Sequence, residues 1–293
     1  MLIATLLTNP ATPALNAMAV ESLRNAWGGG DALWLDPGIA AEFAVEAMPA
    51  NRWEAWEGLQ ALGIDLVVQA AEGRRKRMLL ADMDSTMIGQ ECIDELAAEA
   101  GIGAHVAEIT RRAMNGELDF EAALRERVAL LKGLDAAVIW TVLADRIRFT
   151  PGGRKLVATM KAHAGYAALV SGGFTAFSEP VAAYLGFDED RANTLLVEDS
   201  KLSGKVAEPI LGRQAKVKAL EEITTRLGIP EAEVMAVGDG ANDLGMLKRA
   251  GAGVALHAKP SVAAECEIRI NHGDLTALLY IQGYHRDEFV SVP

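Results

Sequence analysis

Two short apolar runs, Met78 to Ala81 and Val234 to Val237, break off into acidic segments. The first continues as Asp82-Met83-Asp84-Ser85-Thr86, the second as Gly238-Asp239-Gly240-Ala241-Asn242-Asp243. An uninterrupted apolar run bounded by turn residues suits a strand buried on both faces, the kind found in parallel sheets covered by helices. Ala167 to Val170, ending in Ser171-Gly172-Gly173-Phe174, and Gly253 to Leu256 read the same way. Helical patterns separate the four runs, so a parallel α/β sheet is predicted. Ligands of open α/β sheets bind beyond the carboxyl ends of the strands. Three of the four ends are polar, so Asp82 and Asp239, 157 residues apart in the chain, are expected to converge on one edge.

Carboxylates gathered at one edge repel unless a cation lies between them. A hard divalent ion with oxygen ligands fits, magnesium being the common choice. Each acidic motif alone reads equally well as a turn, where Asp and Gly are favoured anyway. Two such ends beside a Ser-Gly-Gly end favour a site.

The rest of the chain is organised around this sheet. With 293 residues, 51% of them apolar, there is material for a large core and a prior of about two domains. The basic stretch Arg74-Arg75-Lys76-Arg77 marks the break. Residues 1–72 show short strands alternating with helices: strands at Leu2 to Leu7, Ala32 to Leu35, Ala41 to Val45 and Ile64 to Val68, helices at Ala14 to Trp27 and Arg52 to Leu62. The order βαββαβ predicts an α+β ferredoxin-like unit. Its expected role is to dimerise the chain or to cover the larger domain. Residues 73–293 form the second domain. The helix-rich block at about 88–148 is too long for a crossover and reads as an inserted cap. Residues 194–206 read as a hairpin insertion around Asp199-Ser200-Lys201.

Charge and composition exclude several classes. A net charge of −12 disfavours nonspecific nucleic-acid binding. No apolar run has the length of a membrane span, and the N-terminus lacks the pattern of a signal peptide, so no membrane partner and a cytoplasmic location are expected. Two cysteines, Cys92 and Cys266, make neither a disulfide framework nor a zinc site, and the five histidines lack metal-ligand spacing.

Taken together, the motifs resemble those of the haloacid dehalogenase superfamily. Asp82-Met83-Asp84-Ser85-Thr86 is similar to its D-x-D-x-T motif, Ser171 to the Ser or Thr that ends a strand, Lys216 to the basic residue entering a helix, and Gly238 to Asp243 to G-D-x-x-x-D. The resemblance runs from about Met78 to the C-terminus. It implies a Rossmann-like core carrying a helical cap. Glu91, the segment Phe120 to Gly133, and Ser171-Gly172-Gly173-Phe174 further resemble the phosphoserine-hydrolysing members, and the N-terminal unit is similar to the ACT-type domain often fused to them.

The resemblance implies a magnesium-dependent hydrolysis of O-phosphoserine. Asp82 would be the nucleophile and Asp84 the general acid and base. Asp82, the carbonyl of Asp84 and Asp239 would hold Mg2+, with Asp243 orienting the metal's water shell or Lys216. Ser171, Gly172 and Lys216 would hold the phosphoryl oxygens, and Glu91 the substrate ammonium. Arg127 interrupts an apolar stripe of Phe120, Ala123, Leu124, Val128 and Leu131 at helical spacing. Its partner is either a cap carboxylate or, as the resemblance implies, the substrate α-carboxylate. Asn242 is open to two roles, helix N-cap or substrate contact.

Overall fold

The computed structural model describes residues 1–292. The chain opens with β1 (Leu2–Leu7), α1 (Ala17–Ala26), β2 (Leu33–Asp36), β3 (Ala40–Val45), α2 (Arg52–Gln60) and β4 (Asp65–Ala70). These strands form one antiparallel sheet in the order β2-β3-β1-β4. One face of it packs beneath α1 and α2 through Leu6, Val20, Phe43 and Leu66. Leu7, Leu35 and Val67 join the core of the larger domain instead. Polar anchors reinforce that seam. Asp65 accepts the backbone N–H groups of Asn271, His272 and Gly273, and Tyr280 Oη donates to Asp36 Oδ2 at 2.6 Å. The N-terminal unit therefore covers part of the larger domain.

β5 (Met78–Ala81) starts the second sheet. The cap follows as α3 (Cys92–Glu99), α4 (Gly103–Met114), α5 (Phe120–Leu130) and α6 (Val138–Asp145). The chain returns through α7 (Gly153–Ala162), β6 (Tyr166–Phe174), α8 (Thr175–Leu185) and β7 (Glu189–Asn193). Next come the hairpin strands β8 (Leu195–Glu198) and β9 (Lys201–Val206), then α9 (Arg213–Leu227), β10 (Val234–Gly238), α10 (Leu244–Arg249), β11 (Ala252–Leu256) and β12 (Ile268–Ile270). Six strands form a parallel sheet in the order β12-β11-β10-β5-β6-β7. This is the Rossmann-like core with an inserted helical cap. Two of its strands, β7 and β12, lie at the edges and were absent from the sequence expectation.

β5 occupies the middle of the site's three strands. Ala81 pairs with Val237 on one side and Leu169 on the other. That register brings Asp82, Asp239 and Ser171 to one edge within a residue of each other. Where the chain leaves and re-enters the core, Gly89 donates to Arg148 O at 2.9 Å and Thr150 to Met87 O at 3.0 Å, so both cap linkers run side by side. Within the cap, Asp119 caps α5 by accepting from Ala122 N at 2.9 Å. The face of α5 bearing Ala123, Leu124 and Val128 is buried. Each larger aliphatic side chain on it contributes about 1.5–3 kcal/mol relative to exposure.

Candidate active site

Asp82 follows the last residue of β5, and its N–H donates to Val237 O at 3.0 Å, extending the ladder by one step. Its Oδ1 accepts from Met83 N at 2.8 Å and lies 2.6 Å from Lys216 Nζ. Lys216 sits in the first turn of α9, and its ammonium also reaches Asp243 Oδ1 at 2.5 Å. Burial alone would lower the proton affinity of Lys216; Asp243 and Asp82 outweigh it and hold the group charged. Asp243 Oδ1 holds Lys216, and its Oδ2 accepts the N–H groups of Asp239 and Gly240 at 3.2 and 3.0 Å. Both oxygens are engaged in positioning.

Asp239 is different. Its Oδ1 accepts from Thr86 Oγ1 at 3.3 Å, but its buried Oδ2 takes no hydrogen bond, and the nearest cation is Lys259 Nζ at 3.5 Å. An orphaned buried carboxylate oxygen is costly. Burial, followed by the charge of Asp243, raises its pKa to about 7. Oxygens of Asp82, Asp239 and Asp243 lie within 4.8 Å of one another. A hard divalent cation between Asp82 and Asp239 fits this donor set and would satisfy the orphan.

Beyond Asp82 the chain turns sharply. Ser85 adopts φ 55°, uncommon for a residue with a side chain, and its Oγ donates to Glu91 Oε1 at 2.7 Å. Glu91 stands at the start of α3. Burial, then the Asp84 charge, pushes its carboxyl well above the ordinary range. Asp84 Oδ1 accepts from Cys92 N at 3.3 Å, and burial raises the Asp84 carboxyl to about 6. Cys92 is fully buried and burial raises its thiol, as suits a neutral structural cysteine.

The neighbouring strand end supplies the opposite wall. Ser171 Oγ accepts from Gly173 N at 2.9 Å, which leaves its own proton for another acceptor. A side chain at either following position would press on the site's own side chains. A Cβ on Gly173 would stand 2.5 Å from Asp84 Oδ2, and one on Gly172 would stand 2.7 Å from the Phe120 ring.

The cap closes the site. Met114, Phe120, Leu124 and Arg127 join Asp82, Asp84, Glu91, Ser171, Gly172 and Asn242 around a cavity of about 20 Å³. Met114 O accepts from Ala241 N at 3.1 Å, tying the end of α4 to the loop after β10. A cavity this small admits about one water, so entry of a metabolite requires the cap to open.

Arg127 is buried, but no carboxylate among the described residues pairs with it directly. Its Nε donates to Ala123 O at 3.1 Å and its Nη1 to Thr110 Oγ1 at 2.9 Å. Thr110 was not anticipated; the only hint was that a buried arginine needs an acceptor. The N-cap role considered for Asn242 does not hold, because Asp243 occupies the N-cap of α10. Asn242 Oδ1 is instead buried without a hydrogen-bond partner beside the cavity. Every other residue expected at the site lies around this edge. Arg125, on the outer face of α5, pairs with Glu121 and Glu208 in solvent.

The sequence model of the haloacid dehalogenase-like hydrolase family matches residues 79–248. The phosphoserine phosphatase of Streptomyces coelicolor is 42% identical over 290 residues, covering 96% of this chain and 69% of that one. The probable phosphoserine phosphatase of Schizosaccharomyces pombe is 44% identical, covering 80% and 78% respectively. Among solved structures, a HAD family hydrolase from Salmonella enterica serovar Typhi superposes with TM-score 0.85 at 29% identity over 98% of this chain and all of that one. A substrate-bound phosphoserine phosphatase complex superposes with TM-score 0.68 at 40% identity, over 70% of this chain and 98% of the other.

Proposed function

The chain belongs to the haloacid dehalogenase-like hydrolase family, and from that premise we propose that it hydrolyses O-phosphoserine to serine and inorganic phosphate, the closing step of serine synthesis. The observation that carries the reading is the pairing of two unlike walls around one cavity. The core wall holds a nucleophilic carboxylate beside a buried lysine; the cap wall holds Arg127 and Glu91. The first suits a phosphate ester, the second the carboxylate and ammonium of an amino acid.

The residues act as follows. Asp82 Oδ1 is pinned by Met83 N–H and Lys216, so Oδ2 is the oxygen left to attack phosphorus. A P–O bond forms to Asp82 as the bond to the seryl oxygen breaks, giving an aspartyl-phosphate. Ser171 Oγ–H, Gly172 N–H and the Lys216 ammonium hold the phosphoryl oxygens. Asp84, raised to about 6 by burial, gives its proton to the departing seryl oxygen. Now ionised, it takes a proton from the water that attacks the aspartyl-phosphate, which restores both groups. Arg127 takes the substrate carboxylate with its open edge, and Glu91 ionises against the substrate ammonium. Asp82, the carbonyl of Asp84 and Asp239 would hold magnesium, which supplies screening between the nucleophile and the phosphate charge when bound.

For the N-terminal unit we propose an ACT-type assignment and self-association. Its strand order supports the first, and an apolar groove of about 500 Å³ between α1 and α2, bordered by Met18, Leu23, Leu59 and Leu62, supports the second. Sedimentation velocity tests it; a monomer at all concentrations would contradict it. No helix among the described residues is long and apolar enough to cross a membrane. A cytoplasmic location is supported by two buried, unpaired thiols.

The function is tested by phosphate release from O-phosphoserine, O-phosphothreonine and phosphoethanolamine, with and without magnesium. Magnesium-dependent release that strongly prefers O-phosphoserine is expected. Indifference to the missing carboxylate of phosphoethanolamine would contradict the role given to Arg127.

A further inference from the structure

Arg127 is 2% exposed, and a guanidinium that deep normally faces a carboxylate. Asp94 on α3 is available, yet a hydroxyl stands between them. Thr110 Oγ1 on α4 accepts from Arg127 Nη1 at 2.9 Å and lies 2.6 Å from Asp94 Oδ1. It also lies 3.0 Å from Val106 O. A hydroxyl has one proton to give, and the shorter, charge-assisted contact to Asp94 takes it. The result is a donor chain, Arg127 to Thr110 to Asp94, running across three cap helices.

We propose that Thr110 is a positioning residue for substrate recognition, spacing Arg127 from Asp94 so that the fork stays aimed into the cavity and open. This rests on the phosphoserine reading above. The physical reason lies in how the fork is used. A carboxylate that pairs directly with a guanidinium takes two parallel N–H groups, the same arrangement a substrate carboxylate needs. With Thr110 interposed, Asp94 compensates the buried charge at one hydroxyl's remove. Nε and one Nη1 hydrogen are occupied, while Nη2 donates to no described residue. Without the hydroxyl, the fork loses its aim and is drawn into a direct pair with Asp94, in competition with the substrate.

The experiment is steady-state kinetics of the full chain with magnesium on O-phosphoserine and phosphoethanolamine, for wild type, Thr110→Val and Thr110→Ser. The expected result is a rise in KM for O-phosphoserine with kcat little changed, and a fall of about tenfold in the preference for O-phosphoserine over phosphoethanolamine. Thr110→Ser, which keeps the hydroxyl, should restore the preference. An equal loss on both substrates, or a serine variant no better than valine, would mean that Thr110 only packs the cap and would overturn the inference. A wild type without preference would overturn the phosphoserine reading and this inference with it. Should Thr110→Val fail to fold, Thr110→Ala is read against Thr110→Ser in the same way.

Discussion

The ammonium of Lys216 lies 2.6 Å from Oδ1 of Asp82, with both side chains buried. The contact occupies one of the two carboxylate oxygens. It also makes Lys216 the main cation offsetting Asp82 and Asp243. Lys216→Met would leave those two carboxylates uncompensated, at a cost of about 3–5 kcal/mol. Urea unfolding in the presence of a chelator should show that loss; an unchanged midpoint would contradict the role.

Asp82→Asn removes the proposed nucleophile and keeps the shape. Phosphate release from O-phosphoserine should fall at least about a thousandfold while the melting profile shows a folded protein. Retained turnover would refute attack by this carboxylate.

Asp84→Asn tests the proposed general acid separately from the proposed nucleophile. The seryl oxygen needs a proton to leave, so turnover of O-phosphoserine should drop about 10²- to 10⁴-fold. Nitrophenolate leaves without one. With p-nitrophenyl phosphate the variant should release about one equivalent of nitrophenolate and then stall, because no base remains for the water. Stopped-flow absorbance checks this; steady release without a burst would contradict it.

The raised carboxyls predict how magnesium, bound at the proposed site, would stabilise the protein across pH. Without the cation, Asp239 holds its proton up to about pH 7, against an ordinary value of 3.8. Its contribution to stability is therefore complete below 3.8 and lost as pH rises through about 7. Asp82 is displaced in the same direction, chiefly by burial and then by the Asp243 charge. Magnesium held by the ionised carboxylates would remove that loss. The rise in Tm on adding magnesium should thus be larger at pH 8 than at pH 5.5, with protons released on binding. Equal shifts at both pH values would contradict this account.

The sequence carried the centre of this molecule more clearly than its margins. β5 and β10 were legible because strands buried on both faces leave unbroken apolar runs, and their acidic ends had nowhere to go but one edge. β7 was not: Glu189-Asp190-Arg191-Ala192-Asn193 contains one apolar residue, because an edge strand needs little burial. β12, of three residues, is too short to show a period. In the site, Arg127 stood out as a charge in an apolar stripe. Thr110 did not, since a threonine within a helix carries no signal until a second helix is packed against it. Asn242 was ambiguous for a similar reason, its sequence context suiting a cap and a ligand equally.

The central claim is that the Asp82 carboxylate itself receives the phosphoryl group. Rapid quenching during turnover of O-phosphoserine, borohydride reduction and peptide mass spectrometry read this directly, because an acyl phosphate on aspartate is reduced to homoserine. Homoserine at position 82, absent when substrate is omitted, is the predicted result. Substrate-dependent reduction at another residue, or none while phosphate is being released, would contradict it.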